Sequence, residues 1–269
     1  MELRFSALKV LCLTDPHSKV QALQSLWHER QVVVLDTQTV FSTQGLVVPG
    51  RPDKPLLCPA QQVPKRSVHT ESGLGGMVHA ICHIEFNAIN LALDAIWRYP
   101  HLPQAYYQDW FKVAYEESTH FELLHGLLHQ MGQAYGDFEA HDGLWAMCEK
   151  TADDVLARMA LVPRTLEARG LDATPLIQAK LQGAASAHAP SLLSILDIIL
   201  RDEVGHVAVG NHWFRWLCAQ QGLDPLQHYP ALVKRHAAPR LKPPFNHEAR
   251  LRAGFTQAEI DWLLAQRVA

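Results

Sequence analysis

From residue 75 onward, apolar side chains recur at intervals of three and four, the spacing of helices that bury one face. The pattern predicts helix A over residues 75–98, where Val78, Ile81, Cys82, Ala88, Ile89 and Ile96 share a stripe. The sequence YPHLP ends it, and helix B follows over 104–132, its stripe holding Tyr106, Trp110, Val113, Leu124, Leu128 and Met131. Helix C runs to about Gly170. Helix D covers 190–219, with Leu192, Leu196, Ile199, Gly210, Trp213 and Leu217 aligned. No strand-like alternation competes. Long helices with half-polar faces predict an all-α four-helix bundle.

The flanks read differently. Asp15 followed by Pro16 marks the start of a short helix, Pro16–His28. The stretch VVPGRPDKPLLCPAQQVPKR is too rich in proline for regular helix and predicts an extended arm. After residue 219 comes a proline-containing loop and a short helix beginning TQAE, where Thr256 and Glu259 have capping-box spacing. The expected organisation is a helix and arm over 1–73, the bundle with its site over 74–219, and a helical tail over 220–269.

Some positions on the buried stripes carry charge. Glu117 and His120 on helix B, and Glu203 and His206 on helix D, stand three residues apart among apolar neighbours. That spacing turns both side chains to one face, where they can grip one metal ion. With 13 Glu and 16 His in the chain, roughly one E-x-x-H would arise by chance, so a lone motif says little. There are three. The third, Glu122 and His125, turns toward Ser118 and His129 and reads as solvated.

Helix A adds Glu85 on its apolar stripe, and Glu117 follows it by 32 residues. On helix C, Glu167 precedes Glu203 by 36 residues. A glutamate followed one helix later by E-x-x-H, twice over, is the pattern of dinuclear carboxylate sites in four-helix bundles. Four carboxylates and two imidazoles suit iron or manganese. The expected ligands are Glu85, Glu117, His120, Glu167, Glu203 and His206. The acids before each motif, Glu116 and Asp202, could accept from the histidine of the opposite helix: Asp202 from His120, Glu116 from His206. Equally, they read as solvated or helix-paired acids.

Helix C sets a condition. Begun at Gly143, it would carry Glu167 about 36 Å along its axis, whereas Glu117 is only 13 residues into helix B. A common height requires the bundle part of helix C to begin near Thr151, where TADD resembles a cap. Residues 133–150 then form a crossover, and Pro163 kinks the helix. Glu149 and Asp153 share the stripe of Glu167 and stay as alternatives. His79 and His83, four residues apart, read as satisfied histidines rather than a zinc pair, because no third ligand accompanies them. Cys82 reads as packing, and Arg158 and Arg164 as balancing charges or surface residues.

Composition narrows the setting. A formal charge of −3 and a pI near 6.6 give no general attraction to nucleic acid or anionic membrane. Five dispersed cysteines without C-x-x-C favour a reducing, cytoplasmic compartment. No signal peptide or membrane span is expected.

The chain resembles the ferritin-like superfamily and, more closely, the bacterial family called domain of unknown function 455. The resemblance rests on PGRPDKP, HAICHIEFNAINLALDAIWR, YGDFEAHDGLW, RMALVPRTLEARGLD, DEVGHVAVGNHWF and FNHEARLRAGF, which together span about residues 49–255. It implies a ferritin-like bundle and supports Glu167, within LEARGLD, as a ligand. The expected function is a dinuclear-iron, or manganese–iron, oxidoreductase activating O2 or peroxide on a small substrate. An external electron donor is implied, since no flavin or nicotinamide fingerprint is present. An iron-oxidising or iron-storage protein is the alternative, and a metal-stabilised interaction module a third. A homo-oligomer is compatible with each.

Overall fold

The computed structural model describes residues 1–64 and 66–265; Lys65 of the expected arm and residues 266–269 of the expected tail lie outside them. The described residues are helical with no named strand, and the extended backbone makes only the isolated bridges Glu2 with Val34 and Leu57 with Ala140. No helix among them is long and apolar enough to cross a membrane. The chain divides into two compact units, Met1–Trp145 with Ala184–Ile195, and Ala146–Gly183 with Leu196–Ala269.

In the first unit, α1 is Leu3–Leu11, α2 Pro16–His28, α3 Glu71–Arg98 and α4 Gln104–Gln130. Helices α3 and α4 are helices A and B, and they pack along one another, with α1 against α3 and α2 against α4. Asp15 caps α2 by accepting from the Ser18 amide at 2.7 Å, and Pro16 supplies its first turn. Thr70 caps α3 through the Gly73 amide, 3.1 Å away, so that helix starts four residues earlier than its apolar stripe suggests. Helix α1 is an addition to the expected elements. Glu2 caps it, and buried Arg4 donates to the carbonyls of Trp97 (2.8 Å) and Thr39 (2.6 Å).

The arm is extended, as its prolines require, and is pinned at definite points. Gly50 donates to the Leu11 carbonyl at 2.9 Å, and its own carbonyl accepts from the buried Lys19 ammonium at 3.0 Å. A Cβ on Gly50 would stand 2.1 Å from the Cys12 carbonyl oxygen, so only glycine permits this approach. Lys19 also donates to Leu11 and Asn90, and burial lowers its ammonium to about 7.

Between α4 and the next long helical run the chain is non-helical over residues 131–142, then forms α5, Gly143–Lys150. The helix stops again at Thr151. In the second unit, Asp154 caps α6, Val155–Leu161, by accepting from the Ala157 amide at 2.9 Å. The expected break before the main part of helix C is therefore present, and no single helix runs from Gly143 to Gly170. Helix C also does not end near Gly170. After a π-helical turn, Val162–Glu167, it continues as α7, Ala168–Leu181, because glycine within an otherwise apolar-faced run costs only about 1 kcal/mol.

Helix α8, Ala189–Gln220, is helix D and supplies residues to both units. The tail holds three helices where a loop and one helix were expected: α9 is Pro225–Arg235, α10 His247–Arg252 and α11 Gln257–Ala265. Asp224 and Asn246 cap the first two. At α11 the capping box is complete, with Glu259 accepting from the Thr256 amide at 2.7 Å and Thr256 from the Glu259 amide at 3.3 Å. Ala168 and Leu171 of α7 pack with Val207, Ala253, Phe255 and Ile260.

Candidate metal centre

The polar residues on the apolar stripes are buried. Glu85 of α3 and Glu117 and His120 of α4 are 3%, 0% and 0% exposed. Their carboxylates converge on one imidazole nitrogen: Glu85 Oε2 and Glu117 Oε2 each lie 3.3 Å from His120 Nδ1. Ligand atoms of these side chains all lie within 4.8 Å of one another. Burial drives the Glu85 carboxyl well above its ordinary range, the neighbouring Glu117 carboxylate raises it further, and His120 opposes both. Two buried carboxylates beside one imidazole carry more negative charge than the histidine can balance. A cation in place of the proton resolves that excess.

The second E-x-x-H repeats the local arrangement. On α8, Glu203 and His206 are buried, and His206 Nδ1 lies 3.8 Å from Glu203 Oε1. Both motifs thus turn Nδ1 toward the carboxylate one helical turn back. The third behaves differently, as its stripe predicts: Glu122 is exposed and accepts from Gln24 at 2.6 Å, and half-buried His125 lies flat against Phe121. Ser118, read as part of that solvated side, is instead fully buried and donates to the Tyr115 carbonyl.

On helix C, Glu167 closes the π-helical turn and is half-buried, while Glu149 and Asp153 are exposed. Glu167 is the most enclosed of the three candidate acids. Of the two flanking acids, Glu116 pairs with Lys112 at 3.3 Å and Asp202 with Arg201 at 2.8 Å. Cys82 is fully buried with its thiol pushed well up, which suits packing and not nucleophilic attack. Arg158 and Arg164 are both buried, so neither is a surface residue.

Of the two histidines of α3, His83 has both ring nitrogens satisfied, whereas His79 has only its Nε2 bonded. His83 Nδ1 meets the Tyr135 hydroxyl at 2.8 Å, and its Nε2 meets the Asn87 amide at 3.0 Å. Sequence reading did not single out Tyr135 or Asn87; the signal was available in Asn87 standing four residues after His83, one helical turn away. His79 is fully buried, and its Nε2 accepts from the Gly136 amide at 2.9 Å.

Burial lowers the His79 imidazole to about 4 and the His83 imidazole to about 3. A histidine whose folded value lies below its unfolded value of about 6.5 binds fewer protons in the native state. Stability is therefore full above about pH 6.5 and falls as acid is added toward pH 4. His79→Gln, which can keep the acceptor without titrating, is expected to flatten that fall; thermal midpoints from pH 7 to 4 check it, and parallel curves for the two proteins would refute it.

The family model described as Protein of unknown function (DUF455) matches residues 12–261. The chain belongs to that family. The match takes in every candidate ligand from Glu85 to His206, along with the arm and most of α11. An uncharacterised protein of Haemophilus influenzae is 51% identical over 219 residues, which cover 79% of this chain and 75% of that protein. No solved structure matches this member of the family.

Proposed function

We propose that the chain is a dinuclear-metal carboxylate oxidoreductase of ferritin-like four-helix architecture, with α3, α4, helix C and α8 as the bundle. Iron, or a manganese–iron pair, is the proposed metal content, and a small organic molecule the proposed substrate. The observation that carries this reading is the buried group on α3 and α4, Glu85, Glu117 and His120, of the residue types that hold metal ions. Oxygen-rich donors with imidazole favour iron and manganese over soft-ligand metals. Glu167, Glu203 and His206 are assigned as the remaining ligands by the repeated spacing in the sequence and by the matching geometry of the two E-x-x-H pairs.

Such a pair of ions, when bound, supplies the electrons for reducing O2 or peroxide. The protein's own residues hold the ions, keep water away through the apolar stripes, and leave the redox partner to be external. Asp202 and Glu116 are proposed to orient His120 and His206.

Iron-loaded protein supplied with a chemical reductant is expected to consume O2 in proportion to time, well beyond one turnover. Uptake of iron far above two ions per chain, with no such turnover, would favour the storage reading instead. The third motif provides a control. Glu122→Ala is expected to keep the iron content of the parent, as measured by elemental analysis; a loss equal to that of Glu117→Ala would overturn the assignment of faces on α4.

A further inference from the structure

The C-terminal half of α8 and the end of α10 border an open groove of about 440 Å³, walled wholly by residues of the second unit. That volume lies within the range of small-molecule sites, about 300–1,000 Å³. On one wall His212, Arg215 and Trp216 stand a single helical turn apart and so share a face of α8. On the other are Arg252, Ala253 and Gly254, where α10 ends. No carboxylate lines the groove, and its charged residues are the two arginines.

Positive charge is in excess there. Glu259 is shared, with Arg164 donating to one of its oxygens at 2.8 Å and Arg215 to the other at 2.9 Å, so two guanidiniums face one carboxylate. Arg252 is exposed and forms no ion pair among the described residues. The carbonyls that would repel an anion are engaged: Asn211 donates to that of Ala253 at 2.8 Å, and Arg215 to that of Gly254 at 2.5 Å. An apolar surface stands beside these charges. Trp216 is half-buried, and its ring meets that of buried Trp213 edge-on at 5.6 Å, which fixes its plane.

We propose that this groove binds a small organic phosphate, its phosphate held by Arg215 and Arg252 and a flat apolar body laid against Trp216. A phosphate monoester carries between one and two negative charges near neutral pH and three strong acceptor oxygens, which matches two guanidiniums with one carboxylate's worth of compensation. Arginine is the side chain suited to such a group, because its planar fork donates two parallel hydrogen bonds. The assignment uses none of the proposed metal ligands and stands whether or not the metal reading holds.

Calorimetric titration of the full chain with 1-naphthyl phosphate, inorganic phosphate and 1-naphthol tests the proposal, using the parent, Arg252→Ala and Trp216→Leu. Arg252 is exposed, so the circular dichroism of its variant should match that of the parent. The parent is expected to bind one 1-naphthyl phosphate, at least about fivefold more tightly than inorganic phosphate, the lower end of what stacking on an aromatic side chain contributes. Arg252→Ala should weaken both phosphates at least about tenfold, as loss of a hydrogen bond to a charged group does. Trp216→Leu should remove the advantage of 1-naphthyl phosphate and leave inorganic phosphate unchanged. No binding of 1-naphthyl phosphate at millimolar concentration, or equal affinity in the parent and Arg252→Ala, would overturn the site. Binding of 1-naphthol as tight as that of its phosphate would overturn the anion assignment, and equal affinity for the two phosphates in the parent would overturn the part given to Trp216.

Discussion

Glu117→Ala and Glu203→Ala are each expected to lower iron content sharply from roughly two ions per chain in the iron-replete parent. Glu117 has no exposure to water, and its carboxylate shares His120 with Glu85. Its removal takes a proposed ligand from the site and leaves the imidazole with one carboxylate. Glu167→Ala is expected to lose metal too, while remaining folded, because its side chain is only half-buried. Elemental analysis of protein grown with ample iron, with anomalous scattering at the iron edge, reads all three. A metal-free core in the parent would sink the dinuclear reading, and full iron content in Glu167→Ala would remove that residue from the ligand set.

The second large effect concerns stability. Arg164→Ala is expected to cost about 3–5 kcal/mol, the range for breaking a buried ion pair by removing one partner. Arg164 is 3% exposed, donates to Glu259 at 2.8 Å and to the Asn211 side chain, and lies against the rings of Phe214, Tyr229 and Phe255. Burial alone would raise the Glu259 carboxyl, but Arg164, the Thr256 amide and Arg215 together hold it below its ordinary value. Without Arg164, one of those three supports is gone and a cavity opens among the aromatic rings. The thermal midpoint should fall by about 10 °C. The double variant Arg164→Met, Glu259→Gln should recover part of the loss, since it leaves no carboxylate short of its partner. A single variant within about 1 °C of the parent would show that the pair contributes little.

The long helices were legible because their apolar stripes repeat over many turns, and the shorter α2 and α11 because Asp15 with Pro16 and the Thr256–Glu259 box mark their starts by local chemistry. The charged residues of the candidate metal centre were legible for the same reason: a carboxylate amid Trp110, Val113 and Leu124 breaks a pattern that its neighbours establish. Helices α1 and α10 show no such period. Helix α1 has nine residues and α10 six, too few turns for a period to stand out, and both are held by tertiary contacts such as those of Arg4 and Arg250. Leu171 and Thr174 are buried beyond Gly170, so α7 persists through packing that no local rule reports.

Ser118 alone departs from the polar face that it shares with exposed Glu122 and His129. A serine among polar neighbours reads as solvated, yet its hydroxyl is satisfied by the Tyr115 carbonyl within the helix, at 2.6 Å. It can be buried without a partner from elsewhere.

The π-helical turn at Val162–Glu167 makes helix C a chain with one residue more than an α-helix of that length would hold. Its wider loop passes beside Gly210, where an added Cβ would come within 2.5 Å of the Pro163 ring. Deleting a single residue inside the turn would let the backbone close into uninterrupted α-helix, and because the residue removed is the one that the wider turn absorbs, the helix beyond it would keep its azimuth. Ala168 and Leu171 would stay against Val207 and Phe255, and the change would fall on the turn itself, where Pro163 lies beside Gly210. In sequence alignments of the family, then, a one-residue gap between Val162 and Ala168 would mark a helix that has lost its wide turn beside Gly210, while a gap of one residue anywhere in the regular helix beyond it would turn everything after it by about 100°.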